Sequence, residues 1–136
     1  MKRRFTLPLP ASEVYRGLVD PILLAAWLGV PYASTGTAPL HLFEATEHRP
    51  PHPWKFRGFI VENERDRKLR IEREDLNAES WRALVISLQE KGDQTEVELA
   101  WSSPTIDSLA ERLLSENGHN RLLAVIEEYP AVVARK

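Results

Sequence analysis

The sequence contains no cysteine, which excludes a disulfide framework, a thiolate nucleophile and every zinc or iron–sulfur site built on cysteine. A surplus of one charge is also missing: 18 lysines and arginines stand against 20 aspartates and glutamates, a formal net charge of -2. That balance argues against a nucleic-acid binder working by bulk electrostatics. There is no long apolar run. The longest nearly uncharged stretch, Ile22 to Tyr32, is far shorter than the roughly 20 residues needed to span a bilayer. The basic start Met1-Lys2-Arg3-Arg4 runs into Pro8, Pro10, Ser12 and Glu13 rather than an apolar segment, so it does not read as a signal peptide and a cytoplasmic location is expected. Neither an internal repeat nor a Gly/Ser linker divides the chain, and its 136 residues are expected to form one domain, 1–136.

Against these absences, hydrophobic residues make up 43% and charged residues 28%, enough apolar surface to offset the entropy of ordering and to exclude global disorder. Residues 3–9 alternate, with Phe5, Leu7 and Leu9 on one side and Arg4 and Thr6 on the other. This is the period of a half-buried strand, which Pro8 and Pro10 end or hold at a sheet edge. Ser12 reads as the N-cap of a short helix, Glu13 to Val19, whose Val14, Tyr15 and Leu18 recur at helical spacing. Asp20-Pro21 opens a second short helix through Leu28, and Gly29 terminates it.

Strands are expected at Leu40 to Thr46, Trp54 to Glu62, Lys68 to Glu74, Ser80 to Glu90 and Thr95 to Ser102. The three prolines between Glu47 and Pro53 remove backbone donors and predict an exposed loop. Arg65-Asp66-Arg67-Lys68 reads as a solvated hairpin tip. Lys91-Gly92-Asp93-Gln94 reads as a four-residue connection with a positive φ at the glycine. After Pro104 the period becomes helical, with Ile106, Leu109, Leu113 and Leu114 on one face; Asn117-Gly118 is expected to break it before Leu122, Leu123, Val125 and Ile126 resume it. Strands followed by a terminal helix predict an α+β arrangement, in which helices cover the apolar face of an antiparallel sheet.

Few patterns point to chemistry. His48 and His52 are four apart, but the intervening prolines forbid a helix and no His-Glu-x-x-His motif exists, so no metal site is expected. Ser102, His119 and Asp107 make a triad only on paper, because no nucleophile motif surrounds any serine. The four tryptophans, 27, 54, 81 and 101, either fill the core or wall a small-molecule cavity. Trp101 is in phase with the apolar Val97 and Leu99, whereas Trp81 is out of phase with Leu84, Ile86 and Leu88. Arg82 shares parity with those residues, and Arg73 with Leu69 and Ile71. Both arginines are placed either to reach a carboxylate or phenolate in a cavity or to sit at strand ends with their heads in water.

Leu7-Pro8-Leu9-Pro10-Ala11-Ser12-Glu13-Val14-Tyr15-Arg16, continuing through Asp20-Pro21 to Trp27-Leu28-Gly29, resembles the N-terminal motif of START/Bet v 1-like (SRPBCC) proteins. The similarity is closest to the branch related to the C-terminal domain of the Hsp90 ATPase activator. Gly58-Phe59-Ile60-Val61-Glu62 and Glu90-Lys91-Gly92-Asp93-Gln94-Thr95-Glu96-Val97-Glu98-Leu99 resemble the family's glycine-led strand and penultimate hairpin. The proline-rich segment before Trp54 and the Asn117-Gly118 interruption depart from the family pattern.

The resemblance implies a helix-grip fold: a curved antiparallel β-sheet wrapped around a C-terminal helix, with two short helices after the first strand and often a cavity between sheet and helix. It implies a position for Trp27 near the cavity entrance. The candidate ligand-binding residues are then Trp27, Trp54, Phe56, Arg73, Arg82, Trp101, Leu113 and His119. The leading expectation is a non-enzymatic domain that binds a small hydrophobic or amphipathic molecule, with no cofactor. The alternatives are a protein-interaction module acting on a chaperone, as in the Hsp90 activator, and an enzyme such as a polyketide cyclase or aromatase.

Overall fold

The computed structural model describes residues 1–30, 32–35, 42–47, 54–75, 80–102 and 108–129, and for 32, 34, 42, 45–47, 54–55, 73–75, 80–82 and 108 the backbone alone. Among the described residues, seven strands form one antiparallel sheet: β1 (Lys2–Leu7), β2 (Tyr32–Ser34), β3 (Leu42–Glu47), β4 (Trp54–Glu64), β5 (Lys68–Asp75), β6 (Ser80–Lys91) and β7 (Gln94–Trp101). Their order across the sheet is β1-β7-β6-β5-β4-β3-β2. β1 is therefore an edge strand, and Pro8 follows its last residue. The three-residue β2 at the other edge is too short to show an alternation, and the sequence pattern did not anticipate it.

Alternation decides which face is covered. Register sets Trp101, Leu84, Ile71 and Ile60 in one row across four strands, and Arg3, Leu99, Ile86 and Leu69 in the next. All but Arg3 are buried. Phe43 and Phe56 continue the same face onto β3 and β4, meeting edge to face with centroids 5.6 Å apart. The opposite face carries exposed or half-exposed ion pairs such as Arg4 with Glu98 and Arg70 with Glu72, which keep it wet and contribute little to stability.

The helices are α1 (Ala11–Val19), α2 (Pro21–Leu28), α3 (Ser108–Leu114) and α4 (Glu116–Glu128). Asp20 caps α2 as expected, its Oδ1 accepting from the Ile22 and Leu23 amides, and Gly29 closes the helix at φ 72°. Three local expectations are corrected. Ser12 is not the cap of α1: the helix begins at Ala11 behind Pro10, and its first amide donates 2.8 Å to Glu90 Oε1, a partner 79 residues away. The β6–β7 connection has two residues, because Lys91 pairs with Gln94; Gly92 takes the positive φ of 65°.

The third correction concerns the C-terminal interruption, which lies at Ser115 and not at Asn117-Gly118. Extended backbone at Ser115 ends α3, and its Oγ accepts from Gly118 N while donating to Arg112 O. Gly118 belongs to the first turn of α4, and a Cβ there would overlap the Arg112 carbonyl oxygen. Its glycine permits close approach and does not break the helix.

Two measurements test this account. Gly29 and Gly92 both have positive φ, but a Cβ on Gly29 would meet the Arg121 guanidinium at 2.7 Å, whereas one on Gly92 meets open space. Urea unfolding should show Gly92→Ala losing roughly 1–2 kcal/mol and Gly29→Ala losing more, with the gap closing in an Arg121→Ala background. Tyr15, on α1, donates 2.6 Å to Asn63 Oδ1 at the end of β4, and burial raises its pKa above the ordinary 10.0. The unfolded chain then ionises first as pH rises past that value, so the Tyr15 contribution is complete below pH 10.0 and is lost toward the folded pKa. The stability difference between wild type and Tyr15→Phe should narrow above that pH.

Candidate functional site

Helices α1 to α4 lie with the covered sheet face and are fastened to one another at α2. The Trp27 indole N–H donates 2.9 Å to the Gly17 carbonyl of α1. Gly17 lets α4 approach, since a Cβ there would come within 2.7 Å of Leu122 Cδ1. From α3 and α4, Arg112 donates to Leu28 O at 3.0 Å and Arg121 to Ala26 O at 3.1 Å. Two guanidinium groups thus sit at the α2 C-terminus, where orphan carbonyls and the helix dipole favour positive charge. These contacts were missed in the sequence, because Arg112 and Arg121 fall on the polar side of a helical pattern and look like solvated charges.

The predicted site residues divide into separate neighbourhoods. Trp27 is buried with its polar atom occupied, and it lines a small cavity of about 50 Å³ together with Leu28, Arg112, Ser115, Asn117, Gly118 and Arg121. Phe56 is buried against Phe43 on the β4 side of the sheet. Leu113 is buried on α3. His119, in the second turn of α4, stacks on Phe5 of β1 with ring centroids 4.3 Å apart. Trp101 ends β7 in the row with Leu84. Trp54 begins β4, and Arg73 stands opposite Arg82 in the β5–β6 ladder, one row beyond Leu84 and Ile71; the side chains of these three lie outside the described residues. The same holds for Trp81, while His41, His48, His52 and Asp107 lie wholly outside them.

A larger open cleft of about 520 Å³ lies at the start of α1, lined by Ala11, Ser12, Asp66, Arg67, Leu88, Gln89 and Glu90. Its wall is mostly polar, and its carboxylate Glu90 is already engaged by Ala11 N. The buried side chains have a different peculiarity. Trp101 Nε1 and His119 Nε2 are both buried without a hydrogen-bond partner, as is Thr35 Oγ1 just after β2. Native proteins satisfy nearly all such atoms, so each exception requires an explanation. The backbone of Trp101 shows no comparable deficit: its N–H donates to Met1 O at 3.0 Å and its carbonyl accepts from Met1 N at 2.9 Å.

A family profile described as Activator of Hsp90 ATPase homolog 1-like protein matches residues 8–131. The chain belongs to this family. It is thereby a member of the Bet v 1-like SRPBCC superfamily, and its curved antiparallel sheet with a C-terminal helix is the helix-grip fold that the opening motif implied. Solved structures of similar fold include a protein of Nitrosomonas europaea, 18% identical, covering 94% of each chain with a TM-score of 0.68. An Activator of Hsp90 ATPase homolog 1-like protein of Aeromonas hydrophila is 14% identical, with 94% of this chain and 93% of that one covered and a TM-score of 0.65. An Hsp90 activator of Plasmodium falciparum is 15% identical over 94% of both chains, with a TM-score of 0.62. No curated protein matches the sequence. No helix among the described residues is long and apolar enough to cross a membrane.

In this member of the activator-like family the α2 clamp makes one quantitative expectation. Trp27→Phe keeps most of the buried ring but leaves the Gly17 carbonyl without its donor, a loss of about 1–3 kcal/mol. Urea denaturation of the purified variant checks it; an unchanged midpoint would show that the 2.9 Å bond does not contribute to stability.

Proposed function

We propose that this chain is a non-enzymatic binding domain, which holds one small hydrophobic or amphipathic molecule between the covered sheet face and the C-terminal helices. The observation that carries this reading is two buried, unpartnered nitrogens, Trp101 Nε1 at the end of β7 and His119 Nε2 on α4. Small-molecule sites combine apolar and aromatic walls with a few polar groups that orient the ligand, and a ligand atom supplies the partner that the protein does not. Arg73 and Arg82, in the ladder row beyond Leu84 and Ile71, extend the proposed site with two formal positive charges. Trp54, Phe56 and Leu113 complete its apolar wall in this reading.

A second reading has its own support. α2 is apolar around its whole circumference, Pro-Ile-Leu-Leu-Ala-Ala-Trp-Leu, and although Leu23, Leu24, Trp27 and Leu28 are buried, Ile22 is 70% exposed. An exposed apolar residue on such a helix suits a protein partner, and the similar Plasmodium falciparum structure is an Hsp90 activator. A chaperone is the partner class this second reading names.

Native mass spectrometry of the purified protein, followed by tryptophan fluorescence against flavonoids, fatty acids and polyketide-like aromatics, separates the two. A co-purifying mass or saturable quenching is expected, lost in Trp101→Ala while the fold is retained by circular dichroism. Arg82→Met should weaken an anionic ligand found in this way. Absence of bound mass and of quenching across all classes would overturn the small-ligand reading in favour of the protein-partner one, which Ile22→Asp should then disrupt in a pull-down with purified chaperone.

A further inference from the structure

β1 closes one side of the sheet, and among the described residues no strand pairs with its outer side. The opposite edge, β2, has three residues and leaves few backbone groups open, whereas β1 has six. Register fixes which of those groups point outward. Met1 and Trp101 exchange both backbone hydrogen bonds, at 2.9 and 3.0 Å, and bonded pairs alternate with unbonded ones along an antiparallel ladder. Arg3 with Leu99, Phe5 with Val97 and Leu7 with Thr95 are therefore the bonded pairs, while Lys2, Arg4 and Thr6, opposite Ala100, Glu98 and Glu96, turn their N–H and C=O groups away from β7. Three donors and three acceptors thus line the open edge in the pattern that an added strand satisfies.

Charge on the same strand selects the occupant. Lys2, Arg3 and Arg4 are all exposed, and they form a local basic strip in a chain whose formal net charge is -2. Arg4 pairs with Glu98 yet keeps its side chain 65% exposed, and among the described residues Lys2 and Arg3 have no ion-pair partner. Alternation sets Lys2 and Arg4 on the wet face and Arg3 on the covered-face side, so cations flank the open edge from both sides. A second copy does not fit: self-pairing centred on the strand puts Arg4 opposite Arg4, and like charges directly opposite destabilise a ladder, whereas opposite charges stabilise it. We propose that β1 is a docking edge for an extended acidic segment of a partner protein, which adds a further strand antiparallel to it. Along that guest, an apolar residue opposite Phe5 is followed by acidic residues opposite Arg4, Arg3 and Lys2. The proposal uses only the backbone and basic side chains of β1 and does not depend on either reading above.

The test uses the full chain and a fluorescein-labelled peptide, Ser-Thr-Val-Glu-Glu-Glu-Ser, beside a counterpart with glutamine in place of glutamate. Two N-methylated forms separate strand addition from attraction between charges alone. Methyl groups on the first and third glutamate amides block bonds to β1, whereas methyl groups on the valine and second glutamate amides point away from it. By fluorescence anisotropy the parent peptide is expected to bind, the first methylated form about 10-fold more weakly and the second within about 3-fold of the parent. The glutamine peptide on wild type, and the parent peptide on the Lys2→Glu/Arg3→Glu variant, should each lose about 10-fold. In hydrogen–deuterium exchange the Lys2, Arg4 and Thr6 amides should exchange fast in the free protein and slow on binding, while those of Arg3 and Phe5, already bonded to β7, change little. Equal binding of both methylated forms, equal binding of the glutamine peptide, or no binding of the parent overturns the proposal. So does protection of the Lys2, Arg4 and Thr6 amides in the free protein, which would assign the edge to the chain itself or, where protection grows with protein concentration, to a second copy. The wild-type measurements decide even if the variant does not fold.

Discussion

A sheet with one apolar face cannot remain uncovered, and the other features of this fold follow from that constraint. On one face of β5, β6 and β7 lie the buried apolar side chains Leu69 and Ile71, Leu84, Ile86 and Leu88, and Val97, Leu99 and Trp101. Each such side chain is worth about 1.5–3 kcal/mol when removed from water, so the face as a whole requires a complete cover. Helices α1 to α4, all short, supply it among the described residues. Since none is long, their stability comes from being fastened to one another and to the sheet, not from helix propensity.

The fastening is largely polar and converges on backbone that helices leave unsatisfied. Glu90 receives the first amide of α1; Asp20 and Ser115 cap α2 and α4 locally. The end of α2 takes Arg112 and Arg121 on its carbonyls, and Gly29 supplies both the left-handed turn and the space for the Arg121 guanidinium. Among the described residues, three buried side-chain polar atoms lack a partner, Thr35 Oγ1 and the nitrogens Trp101 Nε1 and His119 Nε2. The two nitrogens sit where the cover meets the sheet, His119 through its stack on Phe5 and Trp101 at the last residue of β7. The binding-domain proposal starts from these atoms.

Much of this was legible in the residues themselves, where the causes are local. The alternation in Lys68 to Glu74 and Thr95 to Ser102 named the buried face, because a strand's side-chain period is two and does not depend on its neighbours. Asp20-Pro21 and Gly29 bounded α2, because a carboxylate cap, a preset φ and a left-handed glycine act within one turn. Trp101 was marked as a site candidate by its phase alone. Expectations failed where the cause was distant. Ser12 looked like a cap because it is a good one in isolation, but Glu90, brought in by the β6 ladder, satisfies the helix from elsewhere. Gly118 looked like a breaker, and its reason is a neighbouring carbonyl.

Sequence alone therefore determined most of the strands and the first two helices, which face of the sheet is apolar and which family motif those helices carry, since these depend on spacing and on torsional preferences of single residues. Only the tertiary structure decided which polar groups find partners. Trp27 and Trp101 are chemically identical in the sequence, and nothing local separates them. The close approach of α1 to α2 places a carbonyl before one indole, while the row of aliphatic side chains around β7 offers the other none. Hydrogen-bond satisfaction is a property of three-dimensional neighbours, and in this protein it is the property on which the functional reading rests.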